Sequence, residues 1–251
     1  MSTTSKRKFE ITSASLHVMA MMFMLCDHIW GIGIPGNDWL TCVGRLAFPI
    51  FAFMIVEGYF HTKNFKKYLL RLLIFALISE IPFNLMMGSR IFYPIHQNVL
   101  WTFLISLLLI HWNEHVKQKG KWWLRVLVAL TSILLAVLLG IVTFVDFYQA
   151  GILTVLAFYF FRGRTWWCYV GQLAALYYIN VEILQGFSYE IVLFGQTHFF
   201  VRQGLALLAL IPIWLYRGRQ GYHSKWLQYT YYAFYPAHLL LLYLVKILFL
   251  P

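Results

Sequence analysis

Leu16 to Trp30 reads LHVMAMMFMLCDHIW, an apolar run long enough to enter a bilayer that carries Asp27 and His28 side by side. An ionisable group in hydrocarbon costs several kcal/mol, roughly 2.5 to 3.5 for Asp on insertion scales, so such a pair persists where it has partners or chemistry to perform. The remaining segments must therefore bring polar groups to it at depth.

Composition agrees with that reading. Of 251 residues, 61% are hydrophobic and 12% charged, whereas soluble domains average roughly 45 to 50% and 25%. An ordinary soluble domain is excluded, and the lipid bilayer is the expected surrounding. The 16 Tyr and 10 Trp suit bilayer interfaces. A net charge of +11 is compatible with nucleic acid, but the basic residues are sorted by loop, as membrane topology requires, so no nucleic-acid partner is expected. Cys26, Cys42 and Cys168 lie in apolar segments without CxxC or His-paired spacing, which points to neither a metal site nor a disulfide framework. The start, MSTTSKRKFEITSAS, is basic and shows no small-residue cleavage pattern. Residues 1–14 are read as a cytoplasmic tail and 15–251 as a single integral-membrane domain.

Nine apolar windows bounded by charge, Gly or Pro follow: 15–34, 39–60, 67–87, 97–112, 122–145, 147–161, 165–185, 199–216 and 226–249. The expected fold is all-α, a polytopic transmembrane helix bundle of about nine spans. Numbering loops alternately puts 16 of the 20 Lys and Arg on one side, from Lys6, Arg7 and Lys8 through Lys63 to Arg71, Lys117 to Arg125, Arg162 and Arg164, to Arg217, Arg219 and Lys225. Of the loop residues, only Arg90 falls on the other side. That asymmetry places the N-terminus in the cytoplasm and Pro251 outside.

At about 1.5 Å per residue, Asp27 and His28 sit roughly 18 to 20 Å up the first helix, and Arg45, Glu80 and His238 come to about the same height. Neighbours in sequence lie about 100° apart on a helix, so each needs its own partner. Arg45 can clamp Asp27 in a bidentate pair, and Glu80 can fix the tautomer of His28. The alternative is a set of structural ion pairs tying helices together. Five costly groups in one layer favour a site. Glu57 with Lys63, Lys66, Lys67 and Arg71 marks either topology alone or a phosphate-binding mouth for a cytosolic cofactor. On the far side, His96, Gln97, Asn98, Asp146, Gln149, His198, Arg202 and Gln203 could line the way in for a polar acceptor.

Three blocks carry a family likeness: MLCDHIW (Met24 to Trp30), the run RLAFPIFAFMIVEGYFHTKNFKKYLLRLLIFALISEIPFNL (Arg45 to Leu85), and YYAFYPAHLLLLY (Tyr231 to Tyr243). Together they resemble the TraX family, named for the F-pilin acetylase of conjugation systems and similar to the integral-membrane acyltransferases of family 3. The resemblance implies a multi-pass protein of a bacterial cell membrane that passes an acetyl or other short acyl group from cytosolic acyl-CoA, expected to be acetyl-CoA, to an extracytoplasmic peptide, glycan or small-molecule acceptor. It implies no metal. It makes His28 catalytic, supported by Asp27, Arg45 and Glu80, and assigns coenzyme A to the basic segment from Lys67 to Arg71, with Lys63, Lys66 and Glu57 beside it. His96, Asn98, His238 and Arg202 remain for the acceptor. Glu57-Gly58 stands where the wider group tends to have Ser-Gly.

Direct transfer is the expected course, with neutral His28 as base and Arg45 or a backbone N–H on the oxyanion. An acyl-enzyme through Cys26 or Ser79 lacks a Gly-flanked nucleophile turn. The competing classes are a secondary transporter, for which no internal repeat is found, and a non-catalytic assembly factor.

Overall fold

A computed structural model describes residues 10–249, the side chains of Leu193 and Lys225 excepted. The basic residues Lys6, Arg7 and Lys8, and Pro251, lie outside the described residues. The helices are α1 (Ser13–Gly31), α2 (Asp38–Gly44), α3 (Ala47–His61), α4 (Phe65–Gly88), α5 (Val99–Lys119), α6 (Trp122–Val142), α7 (Tyr148–Phe160), α8 (Trp166–Tyr177), α9 (Leu210–Leu215) and α10 (Lys225–Phe249). A π-helical segment, Tyr178–Leu184, continues α8, and a 3₁₀ segment, Arg202–Ala209, leads into α9. Side chains cap the starts of several helices: Thr12 accepts from Ser15 N at 3.2 Å, Asn64 from Lys67 N at 2.9 Å and Asn98 from Leu100 N at 3.1 Å. Each satisfies one of the donors that a helix start leaves unpaired.

Helix α3 is central, packing on α1, α5 and α7. Its buried Ile50, Ala52 and Val56 join Leu107 and Ile110 of α5 and Ile152 and Leu156 of α7 in the main core. Helix α10 lies along α4 and α1, and a second cluster forms there from Phe83, Met86, Tyr235, Leu239 and Leu242. The last helix is thereby seated beside the first, and this positions the site.

The outward faces are apolar. Leu70, Ile74, Leu77, Ile78 and Ile81 of α4 and Leu127, Leu130, Leu134, Leu138 and Ile141 of α6 are exposed at helical spacing. Contiguous apolar surface on this scale has no stable home in water, and the described residues hold five helices or helix pairs long and apolar enough to cross a membrane. The chain is a membrane protein.

The nine apolar windows do not become nine long helices. Window 147–161 yields the 13-residue α7, about 20 Å at helical rise against a hydrocarbon core of about 30 Å. Window 165–185 divides into the 12-residue α8 and its π-helical continuation, and window 199–216 begins in a strand and proceeds through 3₁₀ turns. Window 39–60 comprises α2 and α3, with Arg45 and Leu46 between them.

The all-α expectation also omits a hairpin of β1 (Ser188–Leu193) and β2 (Gln196–Val201), antiparallel from Ser188↔Val201 to Leu193↔Gln196. Its two loop residues, Phe194 at φ 52° and Gly195 at φ 76°, both take the left-handed conformation of a type I′ turn, whose twist matches the strands. Tyr189 OH lies 3.4 Å from Cys42 Sγ, which holds the hairpin over α2.

Candidate functional site

His28 is hydrogen-bonded to His238. Its Nδ1 lies 2.7 Å from His238 Nε2, and His238 Nδ1 lies 2.7 Å from the carbonyl oxygen of Phe234. The ring planes differ by 6° with centroids 4.9 Å apart, so the imidazoles meet edge to edge with the shared proton in plane. A carbonyl oxygen only accepts, so His238 Nδ1 carries a proton. In the neutral pair His238 Nε2 is then the acceptor and His28 Nδ1 the donor. One lone pair remains, on His28 Nε2. His238, expected to serve the acceptor, instead sets the tautomer of His28, and it is almost fully buried while doing so.

The role expected of Glu80 is corrected by the same geometry. Its Oε2 accepts from Asn98 Nδ2 and from Trp101 Nε1, the latter at 3.0 Å, while Asn98 also donates to the carbonyl of Ala76 at 2.9 Å. Glu80 thus ties α4 to the start of α5 rather than holding His28. Asn98, read as an acceptor contact, is fully buried in this link. Among the described residues Glu80 Oε1 and Ser79 Oγ are buried without hydrogen-bond partners, so none of them activates Ser79 as a nucleophile.

Asp27 and Arg45 do pair, though through a single carboxylate oxygen rather than a bidentate clamp. Arg45 Nη2 donates to Asp27 Oδ1 and, at 3.0 Å, to Thr41 Oγ1; Thr41 Oγ1 donates in turn to the same carboxylate oxygen at 2.7 Å. Arg45 Nε donates to the Thr41 carbonyl at 3.2 Å and Nη1 to Gln203 Oε1 at 3.1 Å. Gln203 Nε2 reaches Asn180 Oδ1 at 3.0 Å. A guanidinium has five N–H donors, so one on Nη1 has no partner among the described residues. Gly44 makes this possible: a Cβ there would lie 2.4 Å from Asp27 Cβ and 2.7 Å from its Oδ1. Gly44→Ala is therefore expected to push α2 off α1 and cost about 1 to 3 kcal/mol as overpacking, read as a lower Tm of the purified protein.

The other far-side residues are distributed. His96 pairs with Asp146 at 3.1 Å, where the α4–α5 and α6–α7 connections meet, and Arg202 lies over Trp30 and Phe187 at 5.0 and 4.8 Å.

A cavity of about 520 Å³ enters the bundle from the opposite end. Its mouth is formed by exposed Gln220, Tyr222 and His223, its walls include Arg71, His17 and Glu57, and its inner residues include Met24 and Tyr235. Met24 precedes His28 by four positions and Tyr235 precedes His238 by three, so the cavity reaches within one helical turn of the histidine pair on the same faces. Arg71 Nε is buried there without a partner among the described residues. Lys63, Lys66 and Lys67 are exposed and line neither this cavity nor its neighbour. Glu57 is bonded to Arg162 Nε at 2.8 Å.

The family described as "TraX protein" matches residues 12–246, which hold every residue of both polar clusters. The chain belongs to the TraX family. It is 34% identical over 113 residues to "Probable fimbrial assembly protein FimC, serogroup H1" of Dichelobacter nodosus, a match covering 41% of this chain and 46% of that relative. No solved structure matches.

Sequence reasoning missed two features of this TraX-family site. The His28–His238 bond joins positions 210 apart, for which a single sequence offers only their equal computed depth. Thr41, by contrast, was visible in principle, four residues before Arg45 and so on its face.

Proposed function

We propose that this TraX-family membrane protein is an acyl-CoA-dependent acyltransferase, with acetyl-CoA as donor and a pilin or peptide N-terminus as acceptor. The observation that carries the reading is the cavity that leads from one end of the bundle to within a turn of His28 and His238. The chain bounding it runs inward about 15 Å from Ala14 to Met24 at helical rise, comparable with an extended pantetheine arm of roughly 15 to 20 Å. An acetyl thioester threaded there would stop beside the imidazole.

The finer topology belongs to the same proposal. Nine segments lie in the bilayer, the short helices among them completed by their π-helical and 3₁₀ neighbours, and the cavity mouth faces the cytosol because the Lys- and Arg-rich loops gather at that end. The acceptor class is supported by the fimbrial assembly named for the relative. An envelope glycan would use the same chemistry through a hydroxyl. The host is then a bacterium.

In the reaction, the acceptor amine attacks the thioester carbonyl carbon while His28 Nε2 takes its proton. The C–N bond forms, the C–S bond breaks, and His28 returns the proton to the departing thiolate. His238 holds the base in its reactive tautomer, and the remaining N–H of Arg45 is the candidate donor to the oxyanion. Replacing His238 with Phe is expected to lower kcat by roughly ten- to a hundredfold, less than loss of the base itself, with KM for acetyl-CoA little changed. The test of the proposal is purified protein in lipid nanodiscs supplied with radiolabelled acetyl-CoA and an N-terminal pilin peptide. Label on the peptide's α-amine supports it; no transfer to the peptide, to envelope glycan or to small amines leaves a non-catalytic role in fimbrial assembly.

A further inference from the structure

Beside the large cavity lies a smaller one of about 260 Å³ that shares Glu57, His61 and Tyr216 with it and is walled by Arg162, Arg164, Tyr169 and Trp214. We propose that this lobe holds the adenosine 3′,5′-bisphosphate end of the acyl donor, an inference that rests on the acyl-CoA reading above. It moves the phosphate site from the start of α4, where the sequence suggested Lys63, Lys66 and Lys67, to the turn between α7 and α8.

The wall is built for a planar anion-bearing ligand. Arg162 is fixed by donating Nε to Glu57 Oε1 at 2.8 Å and by lying 4.1 Å from the centroid of Phe60. Among the described residues its two Nη groups have no hydrogen-bond partner, and they face a phosphate here. Arg164 spends one Nη2 hydrogen on the Tyr216 carbonyl at 2.8 Å and keeps the rest. Two guanidiniums against one carboxylate leave an excess positive charge, and the fork of an Arg matches phosphate oxygens in pairs.

Trp214 supplies an aromatic face at the same wall. Its Nε1 donates to Gln172 Oε1 at 2.7 Å, Gln172 Nε2 donates to the Phe161 carbonyl at 2.9 Å, and Tyr169 packs edge-on at 5.1 Å. An indole locked in this way offers a stacking surface to a purine. Glu57 then has a defined part as the positioning residue that sets Arg162 on the wall between the nucleotide lobe and the pantetheine channel.

Three measurements on the protein in nanodiscs test this. Adenosine 3′,5′-bisphosphate is expected to displace labelled acetyl-CoA from the wild type, a readout that needs no variant. The wild type is expected to prefer acetyl-CoA over S-acetylpantetheine by tenfold or more in kcat/KM, and Arg162→Gln or Arg164→Gln to collapse that preference. Lys66→Gln with Lys67→Gln is expected to leave it within threefold. Failure of the bisphosphate to compete while acetyl-CoA is turned over would overturn the nucleotide lobe alone, as would a loss of preference confined to the lysine variant. Bisphosphate binding that depends on Arg162, in a protein that transfers no acyl group, would keep the lobe and sink the acyltransferase reading.

Discussion

His28→Ala is expected to lower acyl transfer from acetyl-CoA by about 10²- to 10⁴-fold, the usual contribution of a positioned general base. The prediction follows from the direction of the hydrogen-bond chain. Phe234 accepts from His238, His238 accepts from His28, and the lone pair left over sits on His28 Nε2. Because the cavity lining includes Met24 and Tyr235 but neither histidine, acetyl-CoA binding should survive with a Kd within a fewfold of wild type. A proportionate loss of binding and turnover would make His28 a packing residue instead.

The second large effect is on stability. Removing one partner of a poorly solvated ion pair leaves the other uncompensated, at about 3 to 5 kcal/mol. Asp27 and Arg45 side chains are 23% and 17% exposed, and Thr41 and Gln203 are arranged around their charges. Asp27→Ala and Arg45→Ala should therefore each lower the Tm of the purified protein sharply. The double replacement Asp27→Asn with Arg45→Met should recover much of the loss, since no net charge then remains at the site. Equal, additive losses would show that the two residues act through separate contacts.

The contrast between these two clusters shows where a sequence is readable. Charge, spacing and helical rise suffice to pair Asp27 with Arg45, because opposite charges at one depth on consecutive segments have few other places to go. Glu80 followed the same logic and failed. Asn98 and Trp101, neutral donors that hydropathy does not flag, are nearer to it in the folded chain. For fold, the apolar windows found the long helices but not their continuity: windows average hydrophobicity and are blind to whether the backbone runs as α, π or 3₁₀. The hairpin was within reach, since SYEIVL and QTHFFV flank Phe-Gly at hairpin spacing and are rich in β-branched and aromatic residues. The apolar windows instead leave Gly186 to His198 as a far-side loop and take Phe199 onward into the next span, which divides the second strand.

The central claim is that the cavity delivers a thioester to His28. Structure determination by cryo-electron microscopy in nanodiscs, with a non-hydrolysable acetyl-CoA analogue bound, addresses it most directly. The account predicts the pantetheine arm running past Arg71 and the thioester-equivalent carbonyl within about 4 Å of His28 Nε2, close to hydrogen-bond reach. An analogue bound on the bundle exterior, or one whose acyl end stops on the far side of Tyr235 from the histidine pair, would contradict it.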